Sequence, residues 1–268
     1  SNLDSSDNSA ITMSKTKTSN TPPSNGLNAG ALPPGKARQF GRVNWLGLWT
    51  LYKKEVMRFI RVGPQTLLAP IVSNVLFMIV FVLAFAEQRG GGDPAFVAFL
   101  APGLVMMGIL NNASANSSSS LMTGKMMGSI TDVLMPPLSY VELALGYIGG
   151  AVSRGLLVAV FTAAALWFFT PMIPKHVWAV LYFSVAAATA LGMIGLLAGI
   201  WAERFDQLAV VNQFIILPLS MLSGTFYHID ILPKALYNLS LVNPLFYFID
   251  GFRYGFTGMA DGNIETGV

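Results

Sequence analysis

Asn212–Phe256 reads NQFIILPLSMLSGTFYHIDILPKALYNLSLVNPLFYFIDGFRYGF, and the fold turns on how its first half gives way to its second. With His228 counted as neutral, Gln207 to Ile229 carries no charge, which suits a membrane span, since about 20 apolar residues cross a hydrocarbon core. Past that point Asp230, Pro233, Lys234, Asn238, Asn243, Pro244, Asp250 and Arg253 interrupt a text that is still strongly apolar. No second full span fits between Ala235 and Ile249. Broken apolar helices of this kind belong at a membrane face or re-enter the bilayer, where neighbouring protein or water satisfies the backbone groups that proline frees.

The composition agrees. The chain is 53% hydrophobic with 11% charged residues, against about 25% charged in ordinary soluble domains, which leaves too little charge to coat a globule. Gly and Pro, 26 and 15 in number, are tolerated in packed membrane helices. The absence of cysteine excludes disulfides and thiol chemistry. Positive charge is concentrated at the start: Lys15, Lys17, Lys36, Arg38, Arg42, Lys53, Lys54, Arg58 and Arg61 face only Asp4, Asp7 and Glu55 before the first span. No aromatic residue accompanies the early lysines, so a membrane surface is the expected partner and nucleic acid is not.

Residues 1–40 are rich in Ser, Thr, Asn, Pro and Gly, cannot bury enough surface to fold, and read as a disordered cytoplasmic tail. The membrane region is 41–268. Over 44–61, Trp45, Leu48, Trp49, Tyr52, Val56, Phe59 and Ile60 recur at helical spacing with Lys53, Lys54, Arg58 and Arg61 largely opposite, the pattern of a helix lying in the bilayer interface. Spans are expected at about 65–86, 96–122, 147–170, 178–201 and 208–228, followed by an outer re-entrant region over 229–260. Gly146 with Gly150, and Gly195 with Gly199, are small-xxx-small pairs that permit close helix approach. Arg154 is expected to snorkel to the headgroups. The fold class is thus an all-α membrane bundle with an interfacial helix at its start and broken outer helices after the fifth span. The basic segment places the N-terminus in the cytoplasm, so the loop at 123–146 is inside and the region after 229 outside.

Within the second span, Asn111, Asn112, Ser114, Asn116 and Ser117–Ser120 are polar, and Asn112, Asn116 and Ser120 share one face. Two readings stay open: Asn111, Asn112, Asn116 and Ser120 line a hydrated path, or they bond helices to one another. The inner loop, TGKMMGSITDVLMPPLSYVELALGY, has its own structure: Ser129 and Asp132 resemble a capping box, Val133 and Leu134 continue a short helix, and Pro136 and Pro137 stop it. Met122, Met126, Met127 and Met135 would give it an adaptable apolar surface for a partner.

This order of elements, with Asp132-x-Leu134-x-x-Pro137 in the loop helix, Ser223–Tyr227 and the closing NPLFYFIDGFRYGF, resembles the membrane permease of type-2 ABC transporters, bacterial exporters of polysaccharides, lipids and drugs. The resemblance covers about residues 44–260. It implies a homodimeric permease in the bacterial inner membrane whose Ile130 to Glu142 segment resembles the coupling helix for a separate ATP-binding cassette subunit, with Ser129, Asp132, Val133, Leu134, Met135, Pro136 and Pro137 as its coupling residues and Tyr227, Asn243, Pro244, Asp250 and Arg253 in the outer segment. The family has a glutamate-rich start to that helix where this chain has Asp132, and a sixth span, which is expected in the native protein beyond Val268.

No cofactor is expected in the chain itself, ATP and magnesium belonging to the partner. Gly124-Lys125 is followed by Met126 and lacks the preceding glycine of a phosphate-binding loop. The scattered acids fit no metal spacing, and His176 and His228 stand at expected outer turns. A secondary transporter would want buried ionisable residues in its spans, and none is expected here. The competing reading is an intramembrane enzyme that uses the Asn/Ser cluster and His228 on a lipid-linked substrate.

Overall fold

The computed structural model describes residues 44–86, 94–227 and 233–258. The tail, the turn after Ala86, and His228 with Asp230 lie outside them. The described residues form α1 (Trp45–Arg61), α2 (Gly63–Ala86), α3 (Pro94–Met126), α4 (Ile130–Leu134), α5 (Tyr140–Leu166), α6 (Val177–Trp201), α7 (Phe205–Val211), a π segment (Asn212–Ile216), α8 (Leu217–Leu222), α9 (Lys234–Val242) and α10 (Pro244–Thr257). Five helical stretches are long and apolar enough to cross a membrane: α2, α3, α5, α6 and the continuous run α7–π–α8.

α3 is the axis. Its span window is 72% buried within the protomer, against 11% for α2 and 17% for the last span. α5 and α6 pack on it and on each other, α1 lies along α5, and α10 folds back over α6 and α3. Small residues set these distances. An added Cβ at Gly146 would come within 2.5 Å of Leu51, and one at Gly150 within 2.6 Å of Glu55, so α1 rests on the α5 glycines. At Gly195 it would strike the backbone of Ser114, and at Gly199 it would meet Ser118 at 3.1 Å. The serine run of α3 is therefore the surface on which the α6 glycines sit. Gly195→Val is expected to force α3 and α6 apart and to destabilise by at least the ~1–3 kcal/mol typical of overpacking, read as a lower unfolding midpoint in detergent.

Local chemistry fixes the boundaries. α1 starts at Asn44, whose Oδ1 accepts from the Gly47 N–H at 3.0 Å. Trp45 and Trp49 are 72% and 61% exposed, free to meet a bilayer interface. The protein-facing stripe is Leu51, Glu55 and Phe59, and Arg58 is turned inward rather than grouped with exposed Lys53, Lys54 and Arg61. α5 begins at Tyr140, not at 147, because Ser139 and Glu142 form a full capping box. The inner loop is correspondingly short, since α3 runs on to Met126. Lys125 Nζ closes the far end of α6, donating to the Ala202 carbonyl at 3.0 Å.

The fifth span ends at Leu222, earlier than the uncharged text suggests. Gly224 turns the chain there with φ +70°. Within this run Pro218 offers no N–H to the carbonyl of residue 214, and the helix widens into its π turn immediately before it.

Candidate functional site

The inner loop leaves α3 through Gly128, at φ +69°. Ser129 precedes α4 in helical geometry and its side chain makes no capping bond, so the expected Ser129–Asp132 box does not form. Its φ/ψ is helical, whereas a capping residue holds an extended backbone so that its oxygen can reach forward. The real capping box lies ten residues on. Glu142 Oε2 accepts from the Ser139 N–H at 2.7 Å while Oε1 accepts from the Asn44 N–H at 2.5 Å, and Asn44 Nδ2 reaches the Pro137 carbonyl at 3.4 Å. One carboxylate thus ties the start of α1, the double-proline stop and the start of α5 together.

α4 has one inward side. Val133, expected on the docking face, is buried against Leu51, Leu121 and Tyr147, with Ile130 beside it at i−3. The outward side holds Leu134 (60% exposed), Met135 (82%) and exposed Asp132, Pro136 and Pro137, with Met127 and Tyr140 exposed nearby. An apolar edge is displayed on a helix whose back is anchored.

Above it the polar face of α3 meets charge from two other helices. Arg58 Nη2 donates to Asn116 Oδ1 at 2.9 Å and to the Asn116 carbonyl at 3.0 Å, and pairs with Glu55 at 3.3 Å. Glu55 is fully buried and accepts from the Ser120 hydroxyl at 2.7 Å. Arg154, expected to snorkel, points inward to Asn112 Oδ1 at 3.2 Å, and Tyr52 bonds Ser153 at 2.8 Å. Asn112, Asn116 and Ser120 are therefore brought together with Glu55, Arg58 and Arg154. Asn111 is not; its amide turns back to the Met107 carbonyl at 3.0 Å. Ionisable groups are thus buried among the spans after all. Helical periodicity hid them, because Glu55 sits beside the lysines in sequence yet lies at i+4 from Leu51 and i−4 from Phe59.

The segment after the last span is also built inward. Asn243 Oδ1 caps α10 through the Leu245 N–H at 3.0 Å, with Pro244 at its first position, while Asn243 Nδ2 donates to the Leu219 carbonyl at 2.8 Å and to Ser223 at 2.7 Å. Tyr227 bonds the Met221 carbonyl at 3.2 Å, and partial burial raises its phenol above the usual pKa. Asp250 and Arg253, placed in the outer segment, are 4% and 3% exposed. Arg253 donates to the Gly224 carbonyl at 2.7 Å and to that of Phe99 at 3.3 Å, with its guanidinium 3.6 Å from the centre of the Phe99 ring. It pins α10 to the start of α3 and to the turn that ends the fifth span. Their burial follows from α10 packing on α6 and α3, where Gly251 lies against Phe183. Arg253→Ala is expected to remove the donor to the buried Gly224 carbonyl and the cation held on the Phe99 ring, cost roughly 1–3 kcal/mol, and lower the yield of folded protein in a fluorescence size-exclusion profile.

Among the described residues, five helices long and apolar enough to cross a membrane, an amphipathic first helix, a braced loop helix and α10 folded back on α6 and α3 make an all-helical membrane bundle. The family model described as ABC-2 type transporter matches residues 47–257, and the chain belongs to that family. It is similar to the inner membrane transport permease YadH of Escherichia coli K12, 36% identical over 224 residues that cover 83% of this chain and 87% of the relative. It is also similar to nodulation protein J of Rhizobium leguminosarum bv. viciae, 23% identical over 232 residues covering 84% and 86%. No solved structure matches the chain.

Proposed function

We propose that the chain is the membrane-spanning subunit of an ATP-driven exporter in a bacterial inner membrane, working as a dimer and receiving motion through α4 from a separate ATP-binding subunit that holds ATP and magnesium. The observation that carries this reading is the outward edge of α4. Leu134 and Met135 stand exposed on a helix fixed by Val133 from behind and by the Glu142 clamp beside it. A mobile loop would absorb a push; a braced one passes it to α1 and α5. The exposed cations of α1 support a cytoplasmic placement for this end, and the relative named as an inner membrane permease supports the compartment.

The substrate path is assigned to the interface of two copies. α2 and the last span bury little of their apolar surface within one protomer. Of the two readings of the α3 stripe, helix-to-helix bonding is favoured by the partners of Asn112, Asn116 and Ser120. The test is co-expression with a candidate ATP-binding cassette subunit and purification through a tag on the permease. Near-equal amounts of both chains and ATP hydrolysis in vesicles are expected. A permease that exports its substrate with no ATPase bound would overturn the proposal.

A further inference from the structure

Where α1, α3 and α5 meet, the cluster holds two guanidinium groups and one carboxylate. Arg58 is paired with Glu55, whereas the protein partner of Arg154 is the neutral amide of Asn112. Asn112 and Asn116 are one turn apart on α3, which separates their Cβ atoms by about 5–6 Å. The two guanidiniums they hold are therefore neighbours, and the cluster carries one surplus positive charge. Arg154 stands about 21 Å along α5 from Tyr140, within a helix long and apolar enough to cross a membrane, where an ionised group calls for a counter-charge. The Nε of each arginine is buried without an acceptor, and every hydrogen bond made by either guanidinium among the described residues goes through Nη2. Each therefore keeps an Nε-side donor unused. The Arg58 side chain is 27% exposed, so the cluster has an edge at the protomer surface, with the two Nε groups lying beneath it.

We propose that Arg58 and Arg154 bind the phosphate group of an anionic amphiphile. Arginine suits this ligand because its planar fork matches two phosphate oxygens at once. A single phosphate supplies the missing negative charge and acceptors for the two idle Nε groups. The same chemistry is offered by a bilayer phospholipid and by free phosphate, which the test separates. The inference rests on the membrane placement of the family and not on the docking of α4.

The full chain is purified in detergent, stripped of lipid and titrated with phosphatidylglycerol, phosphatidylcholine or inorganic phosphate while its unfolding midpoint is followed. Phosphatidylglycerol is expected to raise the midpoint of the wild type by several degrees beyond phosphatidylcholine. Arg154→Gln should lose most of that rise. Arg154→Lys, which keeps the charge but not the fork, should need about ten-fold more lipid, an energy difference near 1.4 kcal/mol. The exposed pair Lys53→Gln/Lys54→Gln should respond as the wild type, which separates the site from general surface charge. A rise with phosphatidylglycerol alone assigns the site to a lipid headgroup, and an equal rise with inorganic phosphate assigns it to a free anion. No rise with either ligand, or an undiminished rise in Arg154→Gln, overturns the proposal.

Discussion

Leu134→Asp is expected to insert in the membrane at the wild-type level, keep the wild-type unfolding midpoint, and lose both its ATPase partner and substrate-stimulated ATP hydrolysis. The side chain is 60% exposed and belongs to none of the buried clusters, so the protomer itself loses almost nothing. A groove that receives the edge of α4 desolvates whatever stands at position 134. An unpaired carboxylate there costs several kcal/mol, and ~3–4 kcal/mol is a loss of more than a hundred-fold in affinity. Val133→Asp is the informative contrast. That side chain packs on Leu51, Leu121 and Tyr147, so its replacement should lower the unfolding midpoint first and binding only as a consequence. Retention of the ATPase by Leu134→Asp would reduce α4 to a connector.

Glu55→Ala should be the most damaging single change within the bundle. It removes the carboxylate that neutralises Arg58 and accepts from Ser120, leaving a largely buried cation with amide partners only. Breaking one side of a buried pair typically costs about 3–5 kcal/mol, a large share of the ~5–15 kcal/mol that holds most domains together. The same reasoning gives the double variant an opposite sign. With Arg58→Leu added, the orphaned charge is gone, and a good part of the lost midpoint should return. Unfolding of the two variants in detergent decides the matter. A double variant no more stable than Glu55→Ala would mean that the pair acts through shape and not through charge.

What was legible in the sequence was what depends on length and on small residues. α6, expected at 178–201, forms over Val177–Trp201, and the pairs Gly146 with Gly150 and Gly195 with Gly199 are close-approach sites. Boundaries slipped where a local device outweighed hydropathy: the Ser139–Glu142 box starts α5 early and Gly224 ends the fifth span early. Inward and outward faces were hardest to read. In lipid both sides of a helix are apolar, so periodicity does not say which side meets protein. Val133 looked like a docking residue and is an anchor, while Arg154, expected to snorkel outward, turns inward to Asn112. The acceptors that hold Arg253, at Gly224 and Phe99, are distant in sequence, and no local pattern announces them. Glu142 had a readable signal, since Ser139-x-x-Glu142 is a capping box by spacing, but its second bond to Asn44 spans nearly a hundred residues.

The central claim is that the outward edge of α4 is where an ATP-binding subunit docks. The chain contains no cysteine, so Met135→Cys introduces a single thiol at a position 82% exposed. Labelled there with a photoactivatable benzophenone and co-expressed in membranes with the ATP-binding subunit that purifies with it, the permease is expected to crosslink to that subunit on illumination, with Tyr182→Cys on α6 remaining uncrosslinked. Crosslinking to lipid alone from position 135, while the two chains still purify together, would contradict the account.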